Sequence, residues 1–170
     1  IPCFFNGPNF NQDWDRVIAA ANGGQVGIQA IVNPYNGPGE KIDERYAGIT
    51  DRSKGVLPRA HQAGISLIGY IHLSSGKINE QRIPRKIVDL KKDVDKWLEL
   101  YDQKEHPIRG FFLDECPSDA KALEYYEPFF AHIKTMLPGA VIAVNPGTTV
   151  QQDFVNIGVA DVVVGHEGKT

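Results

Sequence analysis

Three carboxylates stand where apolar runs give out. Asp114 and Glu115 follow Phe111-Phe112-Leu113 directly, and Glu167 comes shortly after Val162-Val163-Val164. An acid that emerges from a buried run sits at the edge of the core. Two acids facing each other across a sugar-sized gap meet the needs of glycosidic cleavage: one protonates the leaving oxygen, and the other attacks or activates water. Amides and imidazoles hold equivalent places, because Asn6, Asn33, His72, Asn145 and His166 each close an apolar run. With Tyr70 they offer donors and acceptors for sugar hydroxyls. Two matters stay open. Successive strand residues point to opposite faces, so Asp114 and Glu115 need not share a site, and any of these acids could instead pair with a base at the rim. His61, His106 and His132 fall on helix or loop segments and read as surface residues. No HExxH spacing suggests a metal, no GxSxG elbow a serine nucleophile, and no strand-end lysine a Schiff base. Neither a metal nor any other cofactor is expected.

These residues need a scaffold that collects strand ends. Six β-rich runs are legible: 1–6, 26–33, 65–72, 108–115, 140–145 and 161–167. Most are nearly continuous in apolar residues, as suits strands buried on both faces of a parallel sheet. Helical periodicity falls between them. It covers 12–21, 43–63 (with a break or kink signalled by Gly48, Gly55 and Pro58), 85–103, 118–137 and a short stretch near 149–157. In 85–103 a single face carries Ile87, Leu90, Val94, Trp97, Leu98 and Tyr101. Ser118 or Asp119 caps 118–137, and Pro138-Gly139 ends it. Alternating strands and helices mean an α/β fold with right-handed crossovers. No GxGxxG or Walker A follows the first strand, which disfavours the nucleotide-binding open sheets and leaves a (β/α)8 barrel. A barrel takes about 250 residues, so 170 hold between five and six βα units. The expectation is one domain over 1–170, a barrel whose last two units lie outside the given sequence. The strand-end groups then gather at the carboxyl edge, where such folds hold their sites.

Composition narrows the partners. The chain has 18 basic and 21 acidic residues and a net charge of −3, the wrong balance for binding a polyanion such as nucleic acid. No run approaches the roughly 20 apolar residues that span a bilayer. Cys3 and Cys116 lack any CxxC spacing and read as small buried residues. They sit on strands nearly opposite in a barrel, beyond the ~7 Å Cα separation a disulfide tolerates, so no intramolecular bridge is expected.

The opening FFNGP with Trp14 after it, NPYNGPG (33–39), GYIH (69–72), GFFLDE (110–115), NPGT (145–148) and the Glu167 region follow one another along the chain. Taken together, these segments resemble the spherulin-4-like proteins, glycoside hydrolase family 135. After GYIH the chain departs from the family pattern, reading LSSG. The resemblance implies a secreted or cell-wall-associated (β/α)8 barrel, expected to be monomeric. In some fungi the implied activity is hydrolysis of α-1,4-galactosamine linkages in galactosaminogalactan, and the family's acidic residues match Asp114, Glu115 and Glu167.

The expectation is therefore an endo-acting glycoside hydrolase acting on a galactosamine-containing polysaccharide. Asp114 is its nucleophile or transition-state stabiliser, Glu167 its general acid/base, and Glu115 a positioning or charge-tuning neighbour. Asn33, Tyr70, His72, Asn145 and His166 are expected to hold the sugar. A short aspartate beneath the anomeric carbon and a longer glutamate at its side favour retention over inversion. A dense acidic cleft also suits a substrate with ammonium groups. Two other readings stay open: a carbohydrate-binding barrel without catalysis, and a metal-assisted lyase, which would want carboxylates on three consecutive strands where Asn145 breaks the run.

Overall fold

The structure is a computed structural model that describes residues 1–51, 54–78, 81–102, 104, 106–150, 152, 154, 158 and 160–165. The apolar runs form β1 (Pro2–Cys3), β2 (Gln29–Val32) and β3 (Ser66–His72). A hairpin, β4 (Ser74–Ile78) with β5 (Gln81–Pro84), follows, and then β6 (Ile108–Asp114), β7 (Val141–Asn145) and β8 (Val162–Val163). The hydrogen-bonded order β1-β2-β3-β6-β7-β8 tracks the chain, and β1–β2, β2–β3, β6–β7 and β7–β8 pair in parallel. The helices are α1 (Phe10–Ala20), α2 (Glu44–Ala47), α3 (Val56–Gln62), α4 (Ile87–Tyr101), α5 (Ala120–Glu124) and α6 (Glu127–Met136). This is an α/β fold with a parallel sheet. Of the helix expected near 149–157, Gln152 and Phe154 are helical and the rest lies largely outside the described residues.

The chain divides into two compact units, Ile1–Gly69 with Lys96–Arg109 and Tyr70–Asp95 with Gly110–Thr170. In the first, α1 buries Phe10, Trp14 and Val17, three positions at i, i+4 and i+7 on one helical face. The Trp14 ring meets Phe5 and Tyr46 edge-on, with centroids 5.8 and 6.4 Å apart. The expected break within 43–63 separates α2 from α3. Gly48 ends α2 at φ 60°, and a β-carbon on it would lie 2.7 Å from the Gly55 backbone, so two chain segments touch where only glycine fits. Asp43 caps α2 by accepting from the Arg45 N–H. His106, expected at the surface, is instead buried with Nδ1 3.0 Å from the Tyr101 carbonyl oxygen. With its proton on Nδ1 the ring donates to that carbonyl at the end of α4, so the buried imidazole and the helix-end oxygen each keep a polar partner.

In the second unit the runs on β6 and β7 are buried almost throughout, including Phe111, Leu113, Ile142 and Val144. Gly110 faces Val141 across the ladder, and a β-carbon there would lie 1.9 Å from the Val141 carbonyl oxygen. Nothing larger than glycine fits at that crossing. The Asp161 carboxylate accepts from the Ile142 N–H and from Lys134, fixing the segment that leads into β8. The single helix expected over 118–137 is two. Asp119 caps α5 through the N–H groups of Lys121 and Ala122. Pro128 lies in the first turn of α6, where a residue without an N–H is tolerated, so the chain breaks at Tyr125-Tyr126 and starts a new helix. The β4–β5 hairpin was not expected. The sequence there, SSGKINEQRIP, has no apolar alternation to mark it.

Candidate functional site

The register places Asp114 opposite Asn145 across the β6–β7 ladder. In a parallel pair, opposed residues share a face, and the Asn145 Nδ2 donates to Asp114 Oδ1 at 2.9 Å. The Glu115 N–H donates to the same oxygen at 2.9 Å, and the Tyr70 hydroxyl donates to Asp114 Oδ2 at 2.7 Å. Three neutral donors thus hold one carboxylate. The asparagine is itself fixed, since its Oδ1 accepts from the Gly147 N–H at 3.0 Å and only 5% of the residue is exposed. Burial, and then the Asp114 carboxylate, push the Tyr70 phenol well above its ordinary pKa, so it stays protonated and remains a donor.

Glu115 departs from the strand. Its φ of 52° lies in the left-handed region, at a cost of order 1–2 kcal/mol for a residue with a β-carbon. This conformation ends the alternation that would have thrown Asp114 and Glu115 onto opposite faces. The side chain instead meets His72, whose Nε2 lies 3.1 Å from Glu115 Oε2. The His72 ring stacks on Tyr70, with planes 11° apart. The histidine's backbone is tied as well: its carbonyl oxygen accepts from Arg85, whose guanidinium also pairs with Asp93. Two acids adjacent in sequence therefore play different parts. Asp114 is locked by neutral donors, and Glu115 leans on an imidazole.

Five of the expected site residues, Tyr70, His72, Asp114, Glu115 and Asn145, are gathered in this way within the second unit. Asn33 lies in the first, where its Oδ1 accepts from the Gly37 N–H at 2.9 Å and closes the NPYNG turn. His166 and Glu167 lie outside the described residues, and with them the Asp114-to-Glu167 separation. Among the described residues, no three His, Cys, Asp or Glu side chains converge as metal ligands would.

Sequence reasoning missed a pocket of about 340 Å³ beside Glu115, walled by Tyr125, Tyr126, Pro84 and Pro117. The Tyr125 hydroxyl donates to the Arg85 carbonyl, and Tyr126 is buried with its ring edge-on to Tyr125, centroids 5.0 Å apart. The signal that could have found it is Tyr125-Tyr126 directly before Glu127-Pro128, a helix start that turns two aromatics out of a continuous helix.

Fold and site together define an α/β protein with a hydrogen-bonded carboxylate at the carboxyl end of a central parallel strand. The family model for spherulation-specific family 4 matches residues 1–170, and the chain belongs to that family. It is 31% identical to spherulin-4 of Physarum polycephalum over 144 residues, which cover 85% of this chain and 38% of that protein. Its fold is that of the crystal structure of Aspergillus clavatus Sph3 in complex with GalNAc, with a TM-score of 0.68 at 23% identity. That match covers 91% of this chain and 59% of Sph3, so the chain spans only part of the length of either relative. Among the described residues, no helix is long and apolar enough to cross a membrane.

Proposed function

We propose that this chain carries the strand-end acids of a glycoside hydrolase of family 135. The substrate is α-1,4-linked galactosamine or N-acetylgalactosamine in a secreted or cell-wall polysaccharide, cut internally. The observation that carries the reading is the Asp114 carboxylate at the mouth of β6, held by Tyr70, Asn145 and the Glu115 N–H with no cation among its described partners. Such a group keeps its charge uncompensated and its oxygens aimed. A nucleophile, or a stabiliser of an oxocarbenium-like transition state, needs both. Family membership and the GalNAc held by Sph3 support the substrate class. Asp114 attacks or stabilises the anomeric carbon, Glu167 protonates the glycosidic oxygen and later deprotonates water, and Glu115 tunes the charge beside them. The path is retaining. Asn33, Tyr70, His72, Asn145 and His166 hold the sugar or the acids in place. The six strands are part of a closed (β/α)8 barrel, and the protein acts outside the cell as a monomer.

The test is release of oligosaccharides from partly de-N-acetylated galactosaminogalactan. Asp114→Asn can still accept from Asn145 and the Glu115 N–H and can donate to Tyr70, so the fold survives. Turnover should fall about 10³-fold or more, the scale for removing a group at the reacting centre. Undiminished release by this variant would sink the assignment. NMR of the first-formed anomer decides the stereochemistry, and a product of inverted configuration excludes the covalent path.

One observation favours a second reading. A carboxylate satisfied by three donors is also how a purely structural acid looks. On that reading the protein binds the polysaccharide without cleaving it, and neither Asp114→Asn nor Glu167→Gln changes its affinity.

A further inference from the structure

From the pocket beside Glu115 we infer a dedicated subsite for one amino-sugar residue, which reads the free 2-amino group against its N-acetylated form. The inference rests on the glycosidase reading, because the site adjoins Asp114. Three independent features of the structure converge on it. The first is the cavity itself, about 340 Å³ in volume and mostly apolar in its walls, a size within the range of small-ligand pockets. Its floor is aromatic. Tyr125 is 46% exposed and is oriented both by its edge-on contact with Tyr126 and by its hydroxyl bond to the Arg85 carbonyl. A fixed, open ring of this kind receives the C–H face of a pyranose.

The second feature is charge. Glu115 is the carboxylate among the residues that line the pocket, and its partly buried place beside apolar walls strengthens its attraction for an ammonium group over that of an acid in open water. The third is that the backbone is bent out of its way to put the acid there. At φ 52° a glycine or asparagine would be cheaper, yet the position carries a glutamate, and His72 braces it at 3.1 Å. An acid that only had to stay solvated would need neither the strain nor the brace. Asp114 and Glu115 thereby divide the work: the first acts at the bond, and the second recognises the neighbouring residue's nitrogen.

A 2-amino sugar fits this combination better than its acetamide. Both can stack on Tyr125, and both have an N–H to donate. Only the amine adds a full positive charge opposite Glu115, and the acetamide brings a carbonyl acceptor toward a carboxylate.

Binding can be measured apart from turnover. In the Asp114→Asn background, calorimetry with α-1,4-galactosamine tetramer and with its fully N-acetylated counterpart should show the amine bound about tenfold tighter. Glu115→Gln should erase that preference while leaving the acetylated tetramer's affinity in place. Tyr125→Ser should weaken both ligands by about tenfold. Tyr125→Phe, which keeps the ring and its edge-on contact with Tyr126 but loses the hydroxyl bond, should retain most of the affinity that Tyr125→Ser loses, and a Phe variant as weak as Ser would show that the hydroxyl, not stacking, carries the effect. Equal affinity for the two tetramers, a preference that survives Glu115→Gln, or no binding of either would overturn the subsite. The two proposals fail separately. A parent protein that cleaves nothing but shows the Glu115-dependent preference loses the hydrolase reading and keeps the subsite, and cleavage with affinities indifferent to Glu115 and Tyr125 does the reverse.

Discussion

Asp43 in the first unit and Asp114 in the second are both carboxylates tied by several hydrogen bonds, yet they are tied by opposite chemistry. Asp43 is 7% exposed and accepts from the Arg45 guanidinium as close as 2.6 Å, with the Arg45 N–H and the Tyr35 hydroxyl as further donors. Burial by itself would raise its pKa. The hydrogen bonds and charge of Arg45 more than offset that and hold the carboxyl below its ordinary range. Asp114 has a phenol, an amide and a backbone N–H in place of a guanidinium. A cation cancels a carboxylate's field as well as anchoring it, whereas neutral donors anchor it and leave most of the field in place. The partner's charge, more than the number of partners, separates an acid that holds a fold from one that can act on a ligand.

Substitutions can break that contrast. The largest effect is expected from Asp114→Asn, which should cost about 10³-fold or more in turnover and less than about 1 kcal/mol in stability, since its hydrogen bonds can be re-formed. Urea unfolding beside the hydrolysis assay reads both numbers. Arg45→Met should do the converse, removing about 2 kcal/mol of stability with kcat unchanged. It also gives the pH test. Because the folded pKa of Asp43 is depressed, its contribution is complete above the unfolded value near 4 and fades as pH falls through the lower folded value. Acid unfolding of Arg45→Met should therefore begin at higher pH than in the parent, and coincident acid transitions would show that the pair is idle.

Smaller effects sharpen the comparison. Tyr70→Phe removes one of the three donors to Asp114 and should reduce turnover about tenfold, with KM nearly constant, since the phenol acts through the aspartate. A change in KM alone would make Tyr70 a sugar contact. The smallest expected signal belongs to the fold and is shared by both units. Burial pushes Tyr101 and Tyr126 up to about 12. Their stabilisation is complete below the unfolded value near 10 and declines as pH rises toward 12. Alkaline unfolding followed by phenolate absorbance should show these tyrosines ionising together with loss of structure, and titration of a still-folded protein would contradict their burial.

The strands most legible in the sequence were those buried on both faces. The run 108–115 became Ile108–Asp114, 65–72 became Ser66–His72 and 140–145 became Val141–Asn145, because continuous apolar character and pairing end together there. Where apolar residues outrun the ladder, as in 1–6 and 26–33, the pattern overestimates the strand: only Pro2–Cys3 and Gln29–Val32 pair. The site was legible as a set of polar residues at strand ends but not as a set of bonds. That Asn145 would fix Asp114 depends on register, and register is a tertiary property. Asn33 looks the same in sequence, an asparagine before proline, and its amide closes a local turn instead. Glu115 was ambiguous because alternation assumes an extended backbone, which the left-handed turn abandons.

The two units have no linker: their boundaries fall inside β3, α4 and β6. During synthesis the first unit therefore cannot close when its leading segment, Ile1–Gly69, has emerged. It must wait for Trp97, Tyr101 and Ile108, all buried in its finished form. The Tyr101 hydroxyl that accepts the Asp43 N–H arrives 58 residues after its partner, a delay of roughly 3–12 s at ribosomal elongation rates. Through that interval the Asp43 N–H lacks the buried hydroxyl partner it has in the finished fold. A pairing this distant in sequence slows folding, because the intervening chain must be ordered before the contact forms.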